Sequence, residues 1–164
     1  MAATLGISLD SEEMKARVRL SRERGEDLRP ALRLIARAGV GHSRVRFMTG
    51  RDPDGRPWKP SRKAGGQTLI RDGFLRDSIS DRPPTADSVE WGSNLKYAGV
   101  HQAGATIHAK PGGALHFKIA GQSVTVSKVE IPKRSFLGAN AENMAEFGQI
   151  LLGHVGGPLT GEGV

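Results

Sequence analysis

The 164-residue chain contains no cysteine, so disulfide frameworks, thiolate nucleophiles and cysteine-based zinc sites are all excluded together. Aromatic residues are scarce at 5% of the chain, with a single Tyr and two Trp, and only 37% of residues are apolar, which predicts a modest core. No apolar run approaches the roughly 18 to 20 residues that a membrane-crossing helix needs. The opening MAATLGISLDSEE lacks the basic and long apolar regions of a secretory signal, so the expected site of synthesis and assembly is a cytoplasm.

Glycine and proline are abundant, at 22 and 9 residues. The net charge of +7 is concentrated: Lys15 to Arg46 holds ten basic residues against Glu23, Glu26 and Asp27, and 10 − 3 accounts for the whole excess. Charge runs are usually solvated faces. The sharper reading is a surface that meets DNA or an acidic partner through Arg29, Arg33, Arg37, Arg44 and Arg46.

The expected fold is α+β: N-terminal helices packed on a small antiparallel sheet with a β-hairpin, an extended Gly/Pro-rich arm and a C-terminal helix. A capping-box pattern, Asp10 or Ser11 with Glu13, opens a first helix to about Arg24. Asp27 caps a second, with Pro30 in its first turn and Leu28, Leu32 and Ile35 as its buried stripe. The stretch Ala38 to Gly41 weakens that helix, which continues, bent, to Met48. Residues 49–66 hold four Gly and three Pro, and predict an irregular arm with a turn at Asp54-Gly55 that orders on assembly. Within it, Trp58 among Arg51, Arg56, Lys59, Arg62 and Lys63 could stack on bases, but fits better as an anchor in a neighbouring subunit.

Phe74, Leu75 and Ile79 predict a short helical turn, and Asp87 to Gly92 a strand with Val89 and Trp91 on one face. Asn94 is the expected cap of a short helix from Tyr97 to Gln102, ended by Gly104. Ala114 to Ile119 and Ser123 to Val129 alternate as a hairpin around Ala120-Gly121-Gln122. Met144, Phe147, Ile150 and Leu151 share one face of a final helix. The expected organisation is one domain over 1–155, with 156–164 a disordered tail.

The chemistry-bearing residues form no catalytic constellation. His101, His108 and His116 lie seven and eight residues apart without carboxylate or thiolate company, unlike metal ligands, and His42 and His154 are isolated. Asp52 and Asp54 sit where Asp commonly shapes turns. Ser78 and Ser135 lack a nucleophile elbow, and no Gly-rich stretch is completed as a phosphate loop. No enzymatic activity, no metal and no cofactor are expected.

Four patches in order, Phe47 with DPDGRPW (52–58), LIRDGFLRDSI (69–79), GSNLKYAGVHQAG (92–104) and IPKRSFLG (131–138), resemble the phage virion morphogenesis family, which includes the tail-completion proteins of Mu-like and P2-like phages. The resemblance covers about Leu28 to Gly138. Asp72 before Gly-Phe-Leu and Ser135 before Phe-Leu-Gly depart from the family's more usual Thr or Ser and Pro. The resemblance implies a structural virion protein that completes the tail or joins it to the head, located at the tail or neck. The partners it implies are copies of itself, in a ring suspected to be hexameric, other neck and tail proteins, and DNA in the channel. Taken with these patches, Phe47, Trp58, Tyr97, His101, Phe136 and Leu137 are the candidate interface residues.

Overall fold

A computed structural model of the chain describes residues 5–8, 12, 15, 16, 18, 19, 27–61, 67–119 and 121–156. Its elements run β1 (Leu5–Ser8), α1 (Arg29–Thr49), α2 (Phe74–Asp77), β2 (Ser80–Asp81), β3 (Glu90–Ser93), α3 (Ala98–Ala103), β4 (Ala105–His108), β5 (Leu115–Ile119), β6 (Gln122–Val126), β7 (Lys128–Ile131) and α4 (Ala141–Gly156). The α+β expectation is met. Glu12, Lys15, Ala16, Val18 and Arg19 are helical, and Val18 is buried. The expected cap of that helix at Asp10 or Ser11, the break at Gly25 and the tail beyond 156 lie outside the described residues.

Strands β1, β3 and β2 form an antiparallel sheet with β3 in the centre, paired from Leu5↔Ser93 to Ser8↔Glu90 on one side and at Ser80↔Gly92 and Asp81↔Trp91 on the other. Strand β1 was not anticipated from the sequence, because LGIS is too short to show a period. Helix α1 lies on β2 and β3 and also packs against α4. Its start follows the expectation only in part: Leu28 occupies the cap position, while the Asp27 carboxylate accepts the Arg29 N–H at 3.0 Å. Pro30 sits in the first turn, where its missing N–H costs nothing.

Trp91 is the hub of this half of the core, 1% exposed. Its indole donates to Ser43 Oγ at 3.2 Å, and Ser43 Oγ donates in turn to Gly39 O at 2.8 Å. The ring meets Phe147 of α4 edge-on at 6.0 Å. Helix α1 crosses it at Gly39, where a Cβ would fall 2.5 Å from Trp91 Cε2. As expected, the helix continues through the Ala38 to Gly41 stretch: α1 is helical throughout its 21 residues, and Gly39 makes room for the indole.

Beyond the core the chain makes two antiparallel ribbons, β4 with β7 and β5 with β6. This corrects the expected second hairpin strand, Ser123 to Val129. It divides at Ser127, its first part pairing with β5 and its second with β4, because the loop between β4 and β5 bulges opposite Ser127. Among the described residues, none of 105–131 belongs to the buried core. Asn94 does not cap α3; Tyr97 stands at that position, and the Ser93 hydroxyl accepts the Leu95 N–H at 3.1 Å.

The Gly39 and Gly41 pair separates packing from propensity. Gly39→Ala is expected to lower stability by about 1–3 kcal/mol through overpacking against Trp91. Gly41→Ala, with nothing within 4 Å of the added methyl, is expected to raise it by up to about 1 kcal/mol. Thermal and urea unfolding of the two variants check both signs.

Candidate functional site

Three of the four sequence patches, 47–58, 92–104 and 131–138, meet at the segment Arg134 to Gly138, which has no helical or strand partner of its own. Such a stretch must place its backbone polar groups elsewhere if it is buried. Phe136 and Leu137 are buried here, and the neighbouring elements supply the partners.

From α1 comes Arg46, only 6% exposed. Its Nη1 donates to Phe136 O at 3.0 Å and Gly138 O at 2.8 Å, and its Nη2 donates to Asn143 Oδ1 of α4 at 2.9 Å. Burial pushes the guanidinium below the ordinary arginine range, and the carboxylates of Asp52 and Asp54 oppose that shift. Arginine stays charged at any physiological pH, so the segment is organised around a buried cation.

From α3 comes Gln102. Its Oε1 accepts the N–H groups of Phe136 at 2.9 Å and Leu137 at 3.0 Å, and its Nε2 donates to Leu137 O at 2.9 Å. One side-chain amide thus reproduces the pairing of a strand. Arg134 reaches outward to the Gly/Pro loop, with Nε donating to Lys59 O at 2.8 Å and Nη2 to Pro60 O at 3.2 Å.

The same loop corrects the expectation of an arm that orders on assembly. Gly50 ends α1 in the left-handed region, and its N–H donates to Arg46 O at 2.8 Å. Arg51 and Pro57 form a bridge, the Asp52 carboxylate accepts the Arg56 N–H at 2.8 Å, and Trp58 N–H donates to Gly50 O at 2.8 Å. Residues 50–61 are thus a closed loop; 62–66 lie outside the described residues. The turn role expected of Asp52 is observed directly.

Trp58 is likewise no anchor for a neighbour. It is 6% exposed, edge-on to Phe47 at 5.6 Å, and its indole donates to Ser135 O at 3.1 Å. Phe47 also meets Phe136 at 5.2 Å. Among the candidate interface residues, Phe47, Trp58, Phe136 and Leu137 are therefore spent on the chain's own core. The physical reason is the scarcity of large apolar side chains: with so few aromatics, the core claims them. Gly138 completes the closure, since a Cβ there would meet Pro53 Cγ at 2.6 Å.

Tyr97 and His101 remain at the surface of this knot. Their rings are edge-on at 6.1 Å, as the i, i+4 spacing led us to expect, with Tyr97 exposed and His101 half-buried. His101 Nδ1 is buried without a hydrogen-bond partner, and burial first, then the Arg134 charge, pushes its pKa below the ordinary histidine value.

The five arginines also separate. Arg46 is inside and unavailable to DNA or an acidic partner. Arg29 is bound to Asp27 at 2.8 Å, and Arg44 donates to Ile79 O at 3.0 Å while its side chain stays exposed. Arg33 and Arg37 are exposed. Sequence reasoning missed Gln102, Arg134 and Asn143; they are polar residues whose partners are backbone atoms 34 to 97 positions away, or another polar side chain at that range, and no local pattern carries that.

The other chemistry-bearing side chains are also occupied structurally. Ser78 and Ser93 hydroxyls share a hydrogen bond of 2.7 Å, Ser135 Oγ donates to Gln102 O at 3.3 Å, and His116 Nδ1 lies 3.0 Å from Thr125 Oγ1. Among the described residues no three His, Cys, Asp or Glu side chains are placed to hold a metal ion, and no helix is long and apolar enough to cross a membrane.

An α+β chain whose most distinctive residues fasten its own loops has the make-up of a structural building block. It belongs to the phage virion morphogenesis family, whose model matches residues 9–156 and so spans all four patches. No curated protein and no solved structure matches the chain. Family membership gives it a part in building the phage virion.

Arg46→Ala is expected to cost about 3 kcal/mol or more, because it strands Phe136 O, Gly138 O and Asn143 Oδ1 in a dry site, whereas exposed Arg33→Ala should stay within about 0.5 kcal/mol. Chemical denaturation of the two variants checks the contrast. His101 has a folded pKa below its unfolded value, so its contribution to stability is full above pH ~6.5 and is lost as pH falls through the lowered folded value. The melting temperature of the wild type should fall over that range, and His101→Gln should flatten the fall.

Proposed function

We propose that this chain is a connector that completes the phage tail or joins it to the head, working at the neck as a ring of identical copies in contact with other neck and tail proteins. Six copies is the number that contractile-tail symmetry suggests. The observation that carries the reading is the family match over 9–156 together with the patches, three of which build a hydrogen-bonded knot rather than a reactive cleft.

Surface chemistry supports an assembly role. Phe74 and Tyr97, both inside the family-like patches, stand exposed, as does Ile107 on the β4–β7 ribbon. Large apolar side chains left in water at separate places suit a subunit that touches more than one neighbour. With Phe47, Trp58, Phe136 and Leu137 buried, Tyr97 and His101 are the candidate interface residues that remain for contacts between copies. The alternative of a basic nucleic-acid-binding module is weakened by the burial of Arg46 and the pairing of Arg29.

Phage that lack the protein should yield separate filled heads and tails under the electron microscope, and supplying the protein should restore joined particles. Normal infectious virions formed without it would end this reading. Light scattering of the purified chain, alone and with particles lacking it, measures the ring.

A further inference from the structure

Helix α1 carries a second surface that the knot does not use. Leu34, Val45 and Met48 are 54%, 52% and 66% exposed. With Ala38 and Gly41 they occupy positions 34, 38, 41, 45 and 48, alternating steps of four and three residues, the spacing that keeps side chains in one seam facing a partner helix. The seam is about 21 Å long at 1.5 Å per residue. The opposite face of α1, from Ala31 to Phe47, is buried against the sheet, α4 and the loop, so α1 is apolar on two sides and covered on one.

One flank of the seam carries three arginines. Arg33, Arg37 and Arg44 project beside it, all exposed; Arg44 donates to Ile79 O and lies near Asp77, whose carboxyl is held low by Arg76 first and by Arg44 as well. The other flank holds His42, whose Nε2 lies 2.6 Å from Glu146 Oε2, so the acid there is already engaged.

We infer that this seam docks an amphipathic helix of another protein, apolar along one stripe and lined with Glu or Asp beside it. Charge complementarity selects that occupant. A second copy of the chain laid antiparallel would set Arg37 and Arg44 against the same arginines. DNA would place phosphates over Leu34, Val45 and Met48, where they gain nothing. An acidic helix satisfies both halves of the surface, with area from the stripe and steering from the arginines. The inference concerns the purified chain and a partner helix, and stands whether or not copies close into a ring.

The test uses the full chain and a synthetic three-heptad peptide with Leu at a and d and Glu at e and g, beside a matched peptide with Lys for Glu and a duplex of about 20 base pairs. Fluorescence anisotropy should show binding of the Glu peptide that weakens with salt and is roughly tenfold or more tighter than that of the Lys peptide. The double variant Arg33→Glu/Arg37→Glu should reverse the preference. Met48→Asp, at an exposed position, should weaken Glu-peptide binding roughly tenfold with the melting temperature unchanged. Equal binding of the two peptides, binding of neither, or a preference untouched by the double variant would overturn the inference. So would duplex DNA bound more tightly than the Glu peptide through Arg33 and Arg37, or an oligomer that falls apart in Met48→Asp, which would assign the seam to a second copy.

Discussion

A buried guanidinium set among three oxygens is the constraint on which this structure depends. Arg46 is fixed by α1, and the oxygens it binds belong to Phe136, Gly138 and Asn143, so one side chain ties the first long helix to the segment and the helix that follow the ribbons. A charge removed from water is tolerable only when its donors are met, and the two carbonyls have no alternative partner in secondary structure. Segment 134–138, the closed loop 50–61 and the end of α3 are then arranged about it.

The knot explains how a chain with a modest apolar content keeps irregular segments in place. Gln102 acts as a substitute strand, Arg134 staples the loop, and Trp58, Phe47 and Phe136 fill the space between. Polar side chains answering backbone groups do here what regular pairing does elsewhere. The second centre, Trp91 with Ser43, Gly39 and Phe147, joins the sheet to α1 and α4 by the complementary device of close packing. Helix α1 takes part in both centres, so its inner face is fully committed. Its outer seam, like Phe74, Tyr97 and Ile107, stays exposed.

Much of the element plan was legible from local pattern. The helix with Leu32 and Ile35 inward, the strand with Val89 and Trp91 on one face, the turn at Asp54-Gly55, the β5–β6 hairpin and the final helix with Phe147 and Leu151 buried all follow from period and turn chemistry. The four patches also sufficed to recognise the family. Less visible were β1, the division of the second hairpin strand at Ser127, and the use of the Gly/Pro-rich stretch as a closed loop. Each depends on a partner distant in the chain, which glycine and proline content cannot report.

By itself the sequence determined the α+β class, the absence of thiol chemistry, the positions of most elements and the excess of positive charge on α1. Those properties reside in neighbouring residues and in composition. Only the tertiary structure decided which arginines serve the inside and which the outside, and that Phe47, Trp58 and Phe136 of the motifs are buried while Phe74 and Tyr97 stay exposed. Arg33 and Arg46 look alike along the chain; 13 positions apart on one helix, they face opposite sides, and only the packing of a distant segment makes one a structural cation and leaves the other in water.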